Sequence, residues 1–108
     1  MRYFVAYIVP AIVILVSIPL VLGKVSPNGM YGFRTPKTLS SPDIWYPANR
    51  AAGWFMIAAG ILAACLNSVL LLMAADWPER TLFNRMSASA VGWLLLSLAA
   101  SFIYLRRL

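Results

Sequence analysis

Three long runs of apolar residues alternate with polar segments along the chain. The first run covers 3–23, the second 51–75 and the third 86–105. A hydrocarbon layer about 30 Å thick needs about 20 helical residues, and each run reaches that length. Because backbone N–H and C=O groups in lipid must pair within the chain, we expect helices. The pattern predicts an all-α integral membrane protein, a three-helix bundle forming one domain over 1–108.

Composition supports lipid as the solvent and excludes several kinds of chemistry. Apolar residues make up 62% of the chain and charged residues only 11%, whereas soluble domains carry about 25% charged residues. No Asp, Glu, Lys, Arg or His lies within the three runs, which argues against a pump or a proton-coupled transporter. The chain has no histidine and one cysteine, so it offers no histidine-based triad or metal site and no internal disulfide. We expect no enzyme activity, no catalytic or metal-binding residue and no cofactor.

The basic residues sit at the ends of the apolar runs and predict an orientation. The net charge is +6, but no basic stripe of the kind that binds nucleic acid is present, so we expect the lipid bilayer as partner and no nucleic acid. Six Lys and Arg residues lie on the side of 24–50 and the C-terminus, against three on the side of the N-terminus and 76–85. The positive-inside rule therefore predicts that 24–50 and the C-terminus are cytoplasmic and the N-terminus lies outside.

Two short patterns resemble processing signals. The first run is longer than the apolar region of a signal peptide, and the residues after it, Leu22-Gly23-Lys24-Val25, are not a small-residue cleavage site. We therefore expect a retained helix. Leu62-Ala63-Ala64-Cys65 resembles a lipoprotein acylation site but lies inside the second run, so we expect Cys65 to be a buried small thiol.

Small and polar residues within the runs predict how the helices pack. Gly53, Gly60 and Asn67 repeat every seven residues, and such a stripe allows close backbone approach to the other helices. Asn67 and the serines of the third run either bond helices together or line a polar pocket; these serines are Ser89, Ser97 and Ser101. In the first run, Pro10 and Pro19 each remove a backbone donor and crowd the carbonyl four residues earlier, so we expect a bent helix.

Residues 24–50, here called the motif segment, contain turn signals followed by a helix start. Asn28-Gly29 and Gly32 favour turns. Ser41 can cap a helix, Pro42 suits its first position and Asp43 complements its dipole. We expect that helix to continue into the second span, with a bend at Pro47.

The motif segment also carries the candidate binding residues. We expect Asn49 and Arg50 to hydrogen-bond loop carbonyls, and Arg34 or Lys37 to pair with Asp43 or with lipid phosphate. Two interpretations stay open: a long loop or interfacial helix that forms a lid on the headgroups, or a docking surface for a peptide or protein. The predicted binding residues are Gly32, Arg34, Thr35, Pro36, Asp43, Trp45, Asn49 and Arg50.

The motif segment resembles the signature of the SdpI family of bacterial membrane proteins. The residues that carry the resemblance are Trp45, Asn49-Arg50, Gly53 and the string Tyr31-Gly32-Phe33-Arg34-Thr35-Pro36-Lys37-Thr38-Leu39-Ser40. The best-known members carry an additional N-terminal membrane domain, and this chain resembles only their C-terminal three-helix part. The resemblance implies a multi-pass protein of the bacterial cytoplasmic (inner) membrane. It also implies immunity against, or sensing of, a membrane-active toxic peptide, with that peptide or a cytoplasmic regulator as partner.

A second hypothesis belongs to another functional class. The stripe of Gly53, Gly60 and Asn67 would also suit a structural or regulatory subunit that packs on a larger membrane complex. The sequence leaves open the oligomeric state, the toxin and the partner.

Overall fold

The computed structural model describes residues 2–108 and consists of three long helices. They are α1 (Arg2–Val21), α2 (Pro42–Met73) and α3 (Glu79–Leu105), with one short 3-10 helix, Thr38–Ser40, before α2. No strand occurs within residues 2–108. All three helices are long and apolar enough to cross a membrane. The predicted all-α architecture with three spans is therefore confirmed.

Two helices begin earlier than their apolar runs. α2 begins at Pro42 rather than at 51, with the Ser41 side chain accepting the Asp43 N–H at 3.1 Å. α3 begins at Glu79 rather than at 86, so Phe83 and the 79–85 basic residues are helical and not in a loop. Hydropathy marks the part of a helix that suits lipid and not the residue at which the helix begins; at α2 the Ser41 cap and Pro42 set that residue. No separate α-helix lies between α1 and α2 in the described chain.

The end of α1 is closed by a glycine in the left-handed conformation. Gly23 has φ of +69°. Its N–H bonds the Leu20 carbonyl at 3.2 Å, and the Lys24 N–H bonds the Pro19 carbonyl at 3.0 Å. This pair of bonds is a Schellman motif, which satisfies the last carbonyls of a helix and turns the chain away. The motif segment therefore starts in a defined direction.

Contacts at the two ends of the bundle group the segments as predicted. At the N-terminal end, Arg2 forms an ion pair with Glu79 at 2.7 Å and donates to the Ala75 carbonyl at 2.8 Å. At the opposite end, hereafter the loop end, Lys37 Nζ donates to the Leu105 carbonyl at 2.9 Å. The N-terminus thus lies with the α2–α3 turn, and the motif segment lies with the C-terminus.

The small-residue stripe of α2 packs against α1. A Cβ on Gly53 would lie 3.1 Å from the Ser17 carbonyl oxygen, and one on Gly60 would lie 3.1 Å from the Pro10 carbonyl oxygen. Backbone atoms cannot withdraw as the ends of flexible side chains can, so the close approach of α1 requires glycine at both places. The stripe therefore lies at the α1–α2 interface.

Asn67 pairs a carbonyl that a proline has left without its helical partner. Pro10 has no N–H to offer the Ala6 carbonyl. The Asn67 Nδ2 donates to that carbonyl at 2.7 Å from the neighbouring helix. Ser97 and Ser101 instead donate to carbonyls of their own helix. Asn67 therefore bonds α2 to α1.

One cluster of buried apolar residues lies at the N-terminal end, and the cysteine is not part of it. The buried cluster consists of Ala6, Leu71, Ala74, Leu82 and Met86. Cys65, which we expected to be buried, is exposed on α2. That expectation was wrong because residues of one apolar run alternate between the bundle and the outer face, and the run itself gives no register.

Candidate binding site beneath the motif segment

Trp45 anchors the start of the motif segment to the first turns of α2. Its side chain has no exposed surface, and its indole Nε1 donates to the Val25 carbonyl at 2.8 Å. A buried tryptophan supplies a large apolar contact and needs one partner for its N–H. Trp45 meets both conditions within the chain, so it holds the loop against α2.

Asn49 holds the middle of the motif segment through both ends of its amide. Its Oδ1 accepts the Phe33 N–H at 2.6 Å, and its Nδ2 donates to the Phe33 carbonyl at 3.2 Å and to the Trp45 carbonyl at 3.0 Å. The residue is 2% exposed. Its amide thus pairs with Phe33 in the way that a neighbouring strand would, which confirms the predicted bonding of loop backbone by Asn49.

Gly32 allows the loop to approach Trp45 and Asn49. Its φ is +111°, a backbone conformation that residues other than glycine rarely adopt. A Cβ there would lie 2.7 Å from Asn49 Oδ1 and 3.2 Å from a Trp45 ring carbon. Conformation and space therefore both require glycine. Gly32, Trp45 and Asn49 are hereafter called the anchor cluster.

Two threonines shape the Thr-Pro-Lys-Thr turn. The Thr35 N–H donates to Thr38 Oγ1 at 2.7 Å, and the Thr38 N–H donates to Thr35 Oγ1 at 3.0 Å. Thr38 is fully buried, whereas Pro36 is exposed. Reciprocal bonds of this kind close a turn without help from other elements. Thr35 therefore has a local structural role here.

Two cations of the motif segment bond the C-terminal ends of the neighbouring helices. Arg50 Nε donates to the Val21 carbonyl of α1 at 3.2 Å, and Lys37 Nζ donates to the Leu105 carbonyl of α3. Cations are favourable at helix C-termini because the last carbonyls are unpaired and the helix dipole is negative there. The motif segment is thus fastened to all three helices.

All three cations are exposed, but Arg34 differs from the other two because it lines a groove. One guanidinium N–H donates to the Gly29 carbonyl. Neither Arg34 nor Lys37 forms an ion pair with Asp43, whose side chain is exposed. The ion pair found in residues 2–108 joins Arg2 and Glu79. Phe33, the residue before Arg34, packs edge-on against Phe102 of α3, with ring centroids 5.1 Å apart.

The groove, hereafter the loop-end groove, has a volume of about 530 Å³. The motif segment covers its top, α1 and α3 form its walls, and Ala52 and Met56 of α2 form its floor. Its lining is almost entirely apolar apart from Arg34, Ser97, Ser101 and the Tyr31 hydroxyl, which donates to the Val16 carbonyl. This arrangement can hold an apolar chain or side chain with an anionic group near Arg34.

The structure divides six of the eight predicted site residues into three groups, while Thr35 closes a turn and Arg50 bonds the end of α1. Trp45 and Asn49 face inward, and with Gly32 they form the anchor cluster. Arg34 lines the groove, while Pro36 and Asp43 lie on the exposed surface. A binding role for any of them stays a prediction. Sequence analysis missed the pairing partners Phe33 and Val25, because backbone carbonyls and N–H groups leave no signal in residue type.

A model of the SdpI/YfhL protein family matches residues 24–105. The chain belongs to the SdpI/YfhL family. No curated protein and no solved structure gave a match. The SdpI/YfhL match starts at the first residue of the motif segment and ends with α3, so it covers the anchor cluster and most of the groove lining.

Proposed function

We propose that the chain is an SdpI-type protein of the bacterial inner membrane that protects against, or senses, a membrane-active toxic peptide. The observation that carries this proposal is the loop-end groove roofed by the family's motif segment. The anchor cluster holds that roof in one conformation, and exposed Arg34 adds a charge to an otherwise apolar lining. A preformed apolar groove with few polar groups is the usual form of a binding site.

We further propose that the motif segment lies at the cytoplasmic interface and the N-terminus lies outside. Six basic residues at the loop end against three at the other end support this orientation. A toxin arriving from outside then meets the helices within the membrane before it meets the motif segment. Protection would act through the laterally open groove or through a cytoplasmic partner.

Survival of a toxin-sensitive host tests the proposal. The host expresses the wild-type chain, Gly32→Val or Gly29→Ala, and is exposed to a panel of membrane-active peptides. We expect wild type and Gly29→Ala to raise survival above the empty vector, and Gly32→Val to lose that protection, because its side chain cannot fit beside Asn49. Survival equal to empty vector for wild type, at confirmed membrane expression, would refute the immunity role.

The alternative role, as a subunit of a larger complex, has lost the observation on which it rested. The stripe of Gly53, Gly60 and Asn67 is occupied by α1 of the same chain. Purification of the tagged chain in mild detergent distinguishes the two roles, and we expect no stoichiometric partner subunit.

A further inference from the structure

The bundle is closed at one end and open at the other. At the N-terminal end, α1, α2 and α3 share the buried cluster that includes Ala6 and Leu82. At the loop end, α1 and α3 leave the loop-end groove between them above Ala52 and Met56. Its wall residues Val16, Leu98 and Phe102 are 38%, 46% and 46% exposed. The groove therefore opens sideways, on the face that a membrane-spanning bundle turns to lipid.

We propose that the loop-end groove binds one anionic phospholipid, with an acyl chain between α1 and α3 and the headgroup phosphate on Arg34. This binding uses the same groove as the protective role proposed above, but it needs no toxin and can be tested without one. It assigns a resident ligand to the groove and a specific partner to Arg34.

The lining suits an acyl chain. Along α3 the groove extends from Leu94 to Phe102, a distance of about 12 Å at the helical rise. The hydroxyls of Ser97 and Ser101 donate to the Leu94 and Ser97 carbonyls at 2.7 and 2.8 Å. Both hydroxyl protons are therefore already hydrogen-bonded within α3. The deep part of the groove offers a ligand apolar surface and little else. An acyl chain requires nothing more.

The rim suits a phosphate. The Arg34 guanidinium uses one N–H on the Gly29 carbonyl, and an arginine has five such donors. Phosphate oxygens accept them in pairs. The same end carries Lys24, Arg106 and Arg107, with Asp43 as its one acidic side chain, so anionic headgroups are favoured over zwitterionic ones. A peptide carboxylate would suit Arg34 too, but lipid is always present at a lateral opening.

Native mass spectrometry of the purified full-length chain tests the headgroup assignment. The protein in mild detergent is titrated with phosphatidylglycerol or phosphatidylcholine of identical acyl chains. We expect wild type to retain phosphatidylglycerol preferentially. Arg34→Gln should lower that retention about tenfold, the usual effect of losing a charge-assisted hydrogen bond. Lys24→Gln, which removes one charge from the same end but no group of the groove lining, should lower retention much less than Arg34→Gln does.

A second pair of variants tests the acyl-chain assignment. Leu98→Trp fills the groove, whereas Leu95→Trp places the same side chain on an exposed position of α3 outside it. We expect only Leu98→Trp to abolish retention, with the helical circular dichroism of both variants unchanged. Equal retention by Arg34→Gln and Lys24→Gln, equal retention by the two tryptophan variants, or equal binding of both lipids would overturn the proposal. Retention of an acidic peptide in place of phospholipid would overturn it as well.

Discussion

At the residue scale, Gly32 shows why a motif position is restricted to one amino acid. Its backbone lies in a region that favours glycine, and its α-carbon faces the amide of Asn49 and the ring of Trp45. The sequence indicated a turn at Gly32. It did not indicate that the turn packs on the first turns of α2, because that contact joins residues distant in sequence.

Gly32→Ala is expected to destabilise the protein by about 2 kcal/mol or more, from the strained φ and from displacement of Asn49. Gly29→Ala is the matched control, because its φ is not positive and no described atom lies within 4 Å of the new methyl group. It should be neutral, or stabilising by about 0.5 kcal/mol. The measurement is thermal unfolding in mild detergent. Equal midpoints for the two variants would show that the anchor cluster does not form.

Asn49 offers an independent test of the same cluster. Asn49→Ala leaves both the N–H and the carbonyl of Phe33 without their partner, and a buried unpaired group costs about 1–3 kcal/mol. We expect a loss of stability in that range, together with faster protease cleavage in 27–37. Asn84→Ala, at an exposed position of α3, is the control and should change neither. Unchanged cleavage in Asn49→Ala would contradict the anchoring role.

At the scale of helices, Pro10 and Asn67 form one unit. The proline removes a donor in α1, and the amide of α2 replaces it. Asn67 Oδ1 is buried and has no hydrogen-bond partner among the described residues. Burial of that oxygen costs free energy, so the bond made by Nδ2 comes with an energetic cost. The sequence predicted the missing donor at Pro10, but the helix register that brings Asn67 to Ala6 had to come from the structure.

A double-mutant cycle tests this unit. Asn67→Val alone should cost about 1 kcal/mol, because the Ala6 carbonyl loses its donor within the membrane span. Pro10→Ala restores the N–H of residue 10 to that carbonyl. In the Pro10→Ala background, Asn67→Val should therefore be neutral or stabilising. Unfolding in detergent supplies the four stabilities, and strictly additive costs would mean that the two residues are not coupled.

The two helical glycines Gly60 and Gly92 make a further matched pair. A methyl group on Gly60 would lie 2.7 Å from Ile14 Cγ1 and close to the Pro10 carbonyl, whereas one on Gly92 meets no atom of residues 2–108 within 4 Å. Gly60→Ala should separate α1 from α2 and cost about 1–3 kcal/mol. Gly92→Ala should be tolerated. The reverse order of stabilities would place the α1–α2 interface on another face of α2.

At the scale of the whole molecule, the sequence predicted the architecture better than the site. Length and hydropathy alone were enough to predict three spans. The order of spans and loops along the chain was enough to predict which segments share each end of the bundle. Burial was harder to predict: Trp45 was predicted as a binding residue and is buried within the chain, and Cys65 was expected inside and lies outside. Burial follows from the register between helices, and a nearly uniform apolar run does not encode it.

Exposure decides which positions can report the orientation of the bundle. Thr38 looks like a suitable reporter in the sequence, but it is fully buried. Met30, in the same segment, is 91% exposed, and Ala75 is exposed at the opposite end of the bundle. Both positions are uncharged, so a cysteine at either leaves the balance of basic residues unchanged. Each is introduced in a Cys65→Ala background, which removes the native thiol.

Labelling of these two cysteines with an impermeant maleimide tests the central claim, that the motif segment caps the cytoplasmic end of a three-helix membrane bundle. In intact cells we expect Ala75→Cys to be labelled and Met30→Cys to remain unlabelled until the cells are permeabilised, as the six-to-three distribution of basic residues requires. Strong labelling of Met30→Cys in intact cells, with Ala75→Cys protected, would contradict the account and place the groove roof outside the cell.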